Sequence, residues 1–232
     1  KNIVMNTKIT NGNYFCLKDI ENYLISNKEL LGSKVLDFGC GDSPYYELLK
    51  PINYTGVDLE INQSFSTYKN LLKIEKNKPL PFENSKFDSI IATQVIYQIE
   101  SLDKLIIDFH RILNKKGLVL VTVPFMWSEV YDNLHPNKRF SKNELHDIFK
   151  KEGFELIDFK PLNNGLEGVL ILFLKMFESK INSLKIPVIR PLIRVVFCLF
   201  FNCIIGIVRF IKILKDPVVY LNSGFIFQKK DD

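Results

Sequence analysis

The chain has 232 residues, of which 47% are hydrophobic and 25% charged, so it can bury one substantial core, and we expect one domain with an elaboration, not two. Its formal charge of +5 comes from 31 basic and 26 acidic residues. We expect this excess to be spread along the chain and not gathered into one run of Lys and Arg, so obligate nucleic-acid binding is not expected. The four cysteines show neither the spacing of a zinc site nor the density of a disulfide scaffold, so we expect no metal site and reduced thiols. Cys198 and Cys203 stand in an apolar run and are expected to be small buried hydrophobic residues.

The first 33 residues are predicted to form an N-terminal helical cap. They contain no apolar core of a signal peptide, so we expect a cytoplasmic protein, with the inner face of the membrane as a peripheral alternative. The segment Leu17–Leu30 has the pattern of a helix that could lie across the open edge of a site.

From about Lys34 to about Lys160, apolar runs rich in β-branched residues alternate with amphipathic segments. This alternation predicts βα units, and therefore an α/β domain with a mostly parallel sheet buried on both faces. Residues 34–164 and 217–232 are assigned to this domain. The predicted strands are Val35–Phe38, Tyr54–Asp58, Leu71–Glu75, Phe87–Ala92, Gly117–Val123, Phe154–Phe159 and Gly224–Gln228.

Two helices of this domain have clear boundary signals. Apolar residues recur at helical spacing over Leu102–Leu113, and Gly117 is expected to stop that helix. Ser141 and Glu144 predict a capping box that starts a helix over Lys142–Lys151.

Residues 165–216 form an apolar insert before the last strand, predicted to be helical. Only the fourteen residues Val195–Val208 are free of charge, whereas a membrane span takes about 20 residues, so a transmembrane helix is not expected. Arg190, Arg194, Arg209 and Lys212 flank the apolar stretch, as they would on a helix in a membrane interface. Four roles stay open for the insert: a cover for the sheet, a homodimer interface, contact with the substrate, or contact with the membrane surface.

The first strand runs into a glycine turn, which predicts a cofactor cradle. Gly39 and Gly41 allow the backbone to pass close to a ligand, and Asp58 ends the second strand where a carboxylate can accept both ribose hydroxyls. The third glycine of a dinucleotide site is replaced by Pro44, so a pyrophosphate would fit poorly. Asp37 would repel phosphates but suits a cationic nucleoside, which favours S-adenosylmethionine.

On these residues the chain resembles the class I S-adenosylmethionine-dependent methyltransferases, specifically the methyltransferase type 11 group. Asp37-Phe38-Gly39-Cys40-Gly41 matches the first motif of that family, and Arg111–Gly117 resembles the turn before its fifth strand. The resemblance implies a Rossmann-like fold with a seven-stranded, mostly parallel sheet flanked by helices. It also implies cofactor contacts from Asp37, Phe38, Gly39, Cys40, Gly41, Asp58, Leu59, Glu75, Leu80, Pro81, Phe82, Thr93 and Gln94.

The acceptor is expected to bind the loop that follows the fifth strand, residues 123–141, because the carboxyl ends of such strands face the ligand crevice. This loop is similar to loops of family members found with bacterial surface-polysaccharide synthesis, which implies O-methylation of a sugar. His135 is the first candidate for a base, followed by Glu129 and Asp132. Candidate substrate-binding residues are Trp127, Tyr131, Arg139 and Phe140.

Other functions stay open at this point. A small lipophilic acceptor, such as a quinone or lipid precursor, would suit the apolar insert. An NAD-dependent sugar oxidoreductase or epimerase would need a Tyr-x-x-x-Lys after the core strands, but the only such spacings start at Tyr14 and Tyr46. A nucleic-acid methyltransferase commonly has an Asn/Asp-Pro-Pro-aromatic tetrad, which does not occur here. A non-catalytic binding module would not need the glycine turn and Asp58 intact.

Overall fold

The computed structural model describes residues 8–49, 53–61, 70–126, 138–211 and 214–231. The strands are β1 (Lys34–Phe38), β2 (Asn53–Asp58), β3 (Leu71–Lys73), β4 (Phe87–Thr93), β5 (Leu113–Pro124), β6 (Phe154–Asn164) and β7 (Tyr220–Lys229). The helices are α1 (Tyr14–Asn27), α2 (Tyr46–Leu49), α3 (Leu102–Ile112), α4 (Lys142–Lys151), α5 (Leu166–Asn182) and α6 (Arg190–Phe210), with 3-10 turns at Lys28–Leu30 and Ile96–Gln98.

The strands form one sheet in the order β3-β2-β1-β4-β5-β7-β6. Strands β1 to β5 pair in parallel, and β7 runs antiparallel to both β5 and β6. The predicted seven-stranded, mostly parallel sheet is therefore confirmed. Because β1 and β4 lie at the centre and are covered on both faces, they read as continuous apolar runs, which is what the sequence pattern indicated.

The predicted stop of the third helix is wrong. Helix α3 ends at Ile112, because Leu113 is already extended (φ −80°, ψ 142°) and begins β5. Gly117 lies inside that strand, at an irregularity where Phe87 pairs with Leu113 but Ser89 pairs with Leu118. The helix over Lys142–Lys151 and its capping box are confirmed, since Ser141 accepts from the Glu144 N–H and Glu144 reaches back to the Ser141 N–H.

Helix α1 lies on a face of the sheet. The position predicted for it, across the open edge of the site, is not the one that it takes. Its apolar residues Ile20, Tyr23 and Leu24 are buried against side chains of β1, β4, β5, β6 and β7. The Tyr23 ring rests on β7 at Gly224, where an added Cβ would lie 2.4 Å from the ring. The opposite face carries the larger core cluster, which includes residues of α3 and α4. Burial of the apolar side of α1 explains its position.

The insert joins the end of β6 to the start of β7. Pairing of these strands continues to Asn164 and Tyr220, beyond the predicted strand ends. Because β6 runs in the same direction as β5, the insert leaves the sheet at the edge where the parallel strands have their carboxyl ends.

Helix α6 is longer than its charge-free stretch suggested. It has 21 residues and a mean hydropathy of 2.3 over its most apolar part, of which 17% is buried. In the part of the chain that the structure describes, it is the one helix long and apolar enough to cross a membrane by length and composition. The charge-free stretch of fourteen residues is therefore shorter than the apolar helix, because charged residues near both ends belong to the same continuous helix. Cys198 is buried as expected, but Cys203 is exposed.

Candidate active site

The turn after β1 has the backbone that its glycines predicted. Gly39 and Gly41 both adopt positive φ, +70° and +49°. A Cβ on Gly39 would lie 2.4 Å from Val95 Cγ2, whereas a Cβ on Gly41 would meet nothing within 4 Å. Gly39 is therefore required both by its conformation and by the close approach of the segment after β4.

Asp58, at the end of β2, is held against this turn. Its Oδ2 accepts a hydrogen bond from the Gly41 N–H (2.8 Å) and its Oδ1 accepts one from the Glu60 N–H (3.3 Å). The N–H groups of Gly39 and Cys40 donate to the Val57 carbonyl at 2.8 and 3.1 Å. The carboxylate predicted to grip a ribose is thus fixed beside the glycine turn and faces the cavity described next.

A cavity of about 560 Å³ opens at the carboxyl ends of β1, β2 and β4. Its volume is in the range of small-molecule sites, about 300–1,000 Å³. Seven of the predicted cofactor residues line it: Phe38, Gly39, Asp58, Leu59, Glu75, Leu80 and Gln94. Apolar walls beside a carboxylate suit a nucleoside, whose base is flat and whose ribose carries hydroxyl donors.

The other predicted cofactor residues do not line the cavity: Asp37, Cys40, Gly41, Pro81, Phe82 and Thr93. Cys40 is buried with its sulfur next to Gly56, so close that an added Cβ on that glycine would touch it. The Phe82 ring packs edge-on against the Phe87 ring, with 5.0 Å between the ring centres. Thr93 is paired with Thr122 within the sheet. Cys40, Phe82 and Thr93 therefore support the site through packing and strand pairing, which motif spacing alone could not distinguish from direct contact.

Asp37 lies behind the turn, where only 2% of the residue is exposed. Its carboxylate accepts a hydrogen bond from the Tyr54 hydroxyl (2.7 Å). Burial raises the pKa of Asp37 to about 6; the Tyr54 hydrogen bond opposes this rise, and the Asp58 charge adds to it. The ionised form is therefore costly at neutral pH unless a cation lies near it.

Helix α3 contributes a group of cavity residues that the sequence analysis missed. The Asp108 carboxylate accepts from the Leu80 N–H. The Arg111 guanidinium donates to the Phe82 carbonyl (2.5 Å) and the Leu80 carbonyl (2.9 Å), and it forms an ion pair with Asp108 at 2.5 Å. This pair fixes the Leu80–Phe82 segment, of which Leu80 lines the cavity. The i,i+3 spacing of the acid and the base on a predicted helix was the available signal.

Gln94 was predicted as a cofactor residue, and it lines the cavity in an unusual conformation. Its φ is +54°, which is uncommon for a residue with a Cβ. The Gln94 N–H donates to the Thr122 carbonyl at 2.8 Å, which holds the turn after β4 against β5. The strain is therefore supported by the neighbouring strand, as is typical of backbone at functional sites.

The predicted acceptor residues Trp127, Glu129, Tyr131, Asp132 and His135 lie outside the described residues. Phe140 is described and is 3% exposed within the larger core cluster, so its ring packs against the sheet and is not available to stack on a sugar. Arg139 is half-buried, with its guanidinium 5.8 Å from the centre of the Tyr97 ring. Its Nε atom is buried without a hydrogen-bond partner among the described residues. Among those residues, no group of three His, Cys, Asp or Glu side chains could hold a metal.

Comparison with known proteins assigns the chain to a family. A family model described as a methyltransferase domain matches residues 11–158. An uncharacterized protein of Methanocaldococcus jannaschii is 30% identical over 133 residues, 53% of this chain and 55% of that protein, so the chain spans about half the length of this relative.

Solved structures share the fold. An S-adenosylmethionine-dependent methyltransferase from Archaeoglobus fulgidus is similar with a TM-score of 0.58 and 18% identity, covering 94% of this chain and 97% of that one. The cyclase SpnF is similar with a TM-score of 0.59 and 16% identity, covering 92% and 81%. With the glycine turn, Asp58 and the cavity in place, the match over residues 11–158 shows that the chain belongs to the methyltransferase-domain family.

Proposed function

We propose that the enzyme O-methylates a sugar hydroxyl of a bacterial surface glycan or of its precursor. The observation that carries this proposal is the position of the insert, which leaves the sheet at the same edge as the cofactor cavity. An apolar element at that edge suits an acceptor that is attached to a lipid. The likeness of residues 123–141 to loops of enzymes of surface-polysaccharide synthesis also supports a glycan acceptor.

The described residues would hold the donor in a defined way. When bound, S-adenosylmethionine supplies an electrophilic methyl group on a sulfonium. Asp58 has its carboxylate at the cavity wall to accept hydrogen bonds from the ribose hydroxyls, and Phe38 and Leu80 supply apolar walls. Asp37 places a negative charge behind the turn, where it favours a cationic ligand through space.

A sugar hydroxyl is protonated at neutral pH, so the transfer is helped by a base that removes its proton. His135 is the proposed base, with Glu129 and Asp132 as the next candidates. Arg139 is the proposed contact for a polar group of the acceptor, because its buried Nε lacks a partner among the described residues. We expect His135→Gln to lower kcat about 100-fold or more without changing affinity for S-adenosylhomocysteine.

A second candidate acceptor is a small lipophilic molecule, such as a quinone or lipid precursor. The exposed apolar residues of the insert favour it. An NAD-dependent reaction is disfavoured because Pro44 stands where a dinucleotide site needs its third glycine.

Calorimetry with S-adenosylhomocysteine tests the donor site. Asp58→Ala is expected to weaken binding about 30-fold, since hydrogen bonds to a charged group contribute about 2 kcal/mol. Asp42→Asn removes a neighbouring charge that does not line the cavity and is the matched control. Equal affinities of the two variants would contradict the assigned role of Asp58.

Labelled donor tests the acceptor. The wild-type enzyme is incubated with nucleotide sugars, lipid-linked glycans and quinone precursors, and the methylated product is identified. Transfer to a sugar hydroxyl is expected. Transfer only to a quinone or to protein would reject the glycan proposal while leaving the methyltransferase assignment intact.

A further inference from the structure

Helix α6 has an exposed apolar side, whereas its buried side includes polar residues. The side that faces the rest of the protein carries Asn202 and Arg209 as well as Cys198 and Ile205. The side that faces outward is apolar over the whole helix and contains Leu192, Val196, Leu199, Phe200, Cys203, Ile207 and Phe210. A soluble surface helix normally has the reverse arrangement.

The inward polar residues hold α6 against the N-terminal segment. Asn202, which is 1% exposed, donates from Nδ2 to the carbonyls of Ile9 and Asn11. Arg209 pairs with Asp19 of α1 and with Glu167 of α5, the latter at 3.2 Å. These contacts fix which side of α6 faces outward, and the helix could not cross a membrane alone without losing them.

The apolar side of α6 is continuous with that of α5. Four rings bridge the two helices, with Phe173 lying 5.5 Å from Phe201 and Phe177 lying 5.9 Å from Phe197. The outward stripe of α5 consists of Leu166, Val169, Phe173 and Met176. Exposure is high for such side chains, at 60% for Phe200 and 65% for Ile207. A patch this large and contiguous normally has an interaction partner.

Charge identifies the partner. Residues 165–216 contain eight basic and three acidic side chains, which leaves 23 of each sign in the rest of the chain. The whole excess of +5 therefore lies in the insert, and the expectation that it is spread along the chain is corrected. Two of the three acids are occupied internally, Glu167 by Arg209 and Glu178 by Lys175 at 2.8 Å.

Among the described residues, four cations around the turn between α5 and α6 have no such partners. Lys180, Lys185, Arg190 and Arg194 form no ion pair within the described part of the chain. They lie at the end of α5, in the turn between the helices, and at the start of α6. An apolar face bordered by cations is complementary to a bilayer that contains anionic lipids. A second copy docked by the same patch would instead bring two segments of charge +5 together.

We propose that the face formed by α5 and α6 binds the surface of an anionic lipid bilayer, with both helices lying in the plane of the interface. The carboxyl edge of the sheet, where the cofactor cavity opens, would then be near the membrane, because the insert leaves the sheet at that edge. The inference does not depend on which acceptor is methylated.

Vesicle co-sedimentation of the full chain tests the apolar part. Wild-type protein is expected to bind vesicles made of phosphatidylcholine and phosphatidylglycerol. The double variant Phe200→Ser and Ile207→Ser is expected to have a partition coefficient that is lower by at least tenfold for each residue changed, because burial of each side chain contributes about 1.5 kcal/mol. The matched control replaces Leu30 and Ile157 by Ser, which are both 53% exposed but lie outside the insert. Thermal unfolding and binding of S-adenosylhomocysteine verify that each variant is folded.

Charge and orientation have their own readouts. Lys185→Gln is expected to weaken binding about fivefold, from about 1 kcal/mol per cation near an anionic surface, and binding is expected to fall with salt. Equal binding to vesicles of phosphatidylcholine alone would overturn the proposal. Retention of the protein on vesicles after a carbonate wash would also overturn it, because this would indicate a helix that crosses the bilayer. A protein that binds no vesicles but self-associates, with self-association abolished by the changes at Phe200 and Ile207, would overturn it as well.

Discussion

The catalytic sheet and the α5–α6 insert use apolar residues in opposite ways. In β1 and β4 the apolar side chains face inward, where they form the two core clusters. In α6 the inward side includes Asn202 and Arg209, and most of the apolar side chains face solvent. Periodicity therefore identifies which residues share a face, but the contacts made by that face determine whether it is turned toward the protein.

The largest expected effect comes from removing the inward cation of the insert. Arg209→Met leaves Asp19 and Glu167 without their counter-charge, and Glu167 is 6% exposed. We expect a loss of about 4 kcal/mol in the free energy of unfolding, as for other broken buried pairs. Urea unfolding measures it. Arg194→Met, at an exposed arginine one turn before Cys198 on the same helix, is expected to change stability by less than about 0.5 kcal/mol. Similar losses for both variants would contradict the buried role of Arg209.

Two alanine substitutions sharpen the contrast between the turn and the insert. Gly39→Ala is expected to cost about 3 kcal/mol and to prevent binding of S-adenosylhomocysteine, because the added Cβ would lie 2.4 Å from Val95 and the φ of +70° is strained. Gly206→Ala in α6 places its Cβ at an ordinary 3.6 Å from Phe15. That change is expected to stabilise the protein by about 0.5 kcal/mol. Thermal unfolding and calorimetry compare the two.

The buried carboxyl group of Asp37 is expected to make the stability of the protein depend on pH. Its pKa is about 6 in the folded protein against an ordinary value of 3.8, so the folded state binds more protons and stability falls as pH rises from about 4 to about 6. Asp37→Asn removes this contribution. The free energy of unfolding of the variant, relative to that of the wild type, should therefore rise by roughly 2 to 3 kcal/mol as pH increases across that window. Parallel stability curves for the two proteins would refute the assignment. The affinity of the variant for S-adenosylmethionine should fall, since the charge behind the turn is lost.

The smallest expected effect concerns a feature that the sequence predicted outright. Ser141→Ala removes the side chain that accepts from the Glu144 N–H at 3.2 Å at the start of α4. We expect a loss of about 1 kcal/mol, measured by urea unfolding. Ser179→Ala, at an exposed position within α5, is the control and should not destabilise. A loss confined to the control would show that the capping box does not act as described.

Local patterns were sufficient to predict the strands, the parallel sheet, the glycine turn, the position of Asp58 and the capping box of α4. Each of these depends on residues close together in the chain or on a repeating period. Three features needed the tertiary structure: Asp37 lies behind the cavity and not in its wall, Asp108 and Arg111 fix the Leu80–Phe82 segment, and α6 turns its apolar side outward. These depend on contacts between residues far apart in the sequence, such as Asn202 with Ile9, and no local period records such contacts.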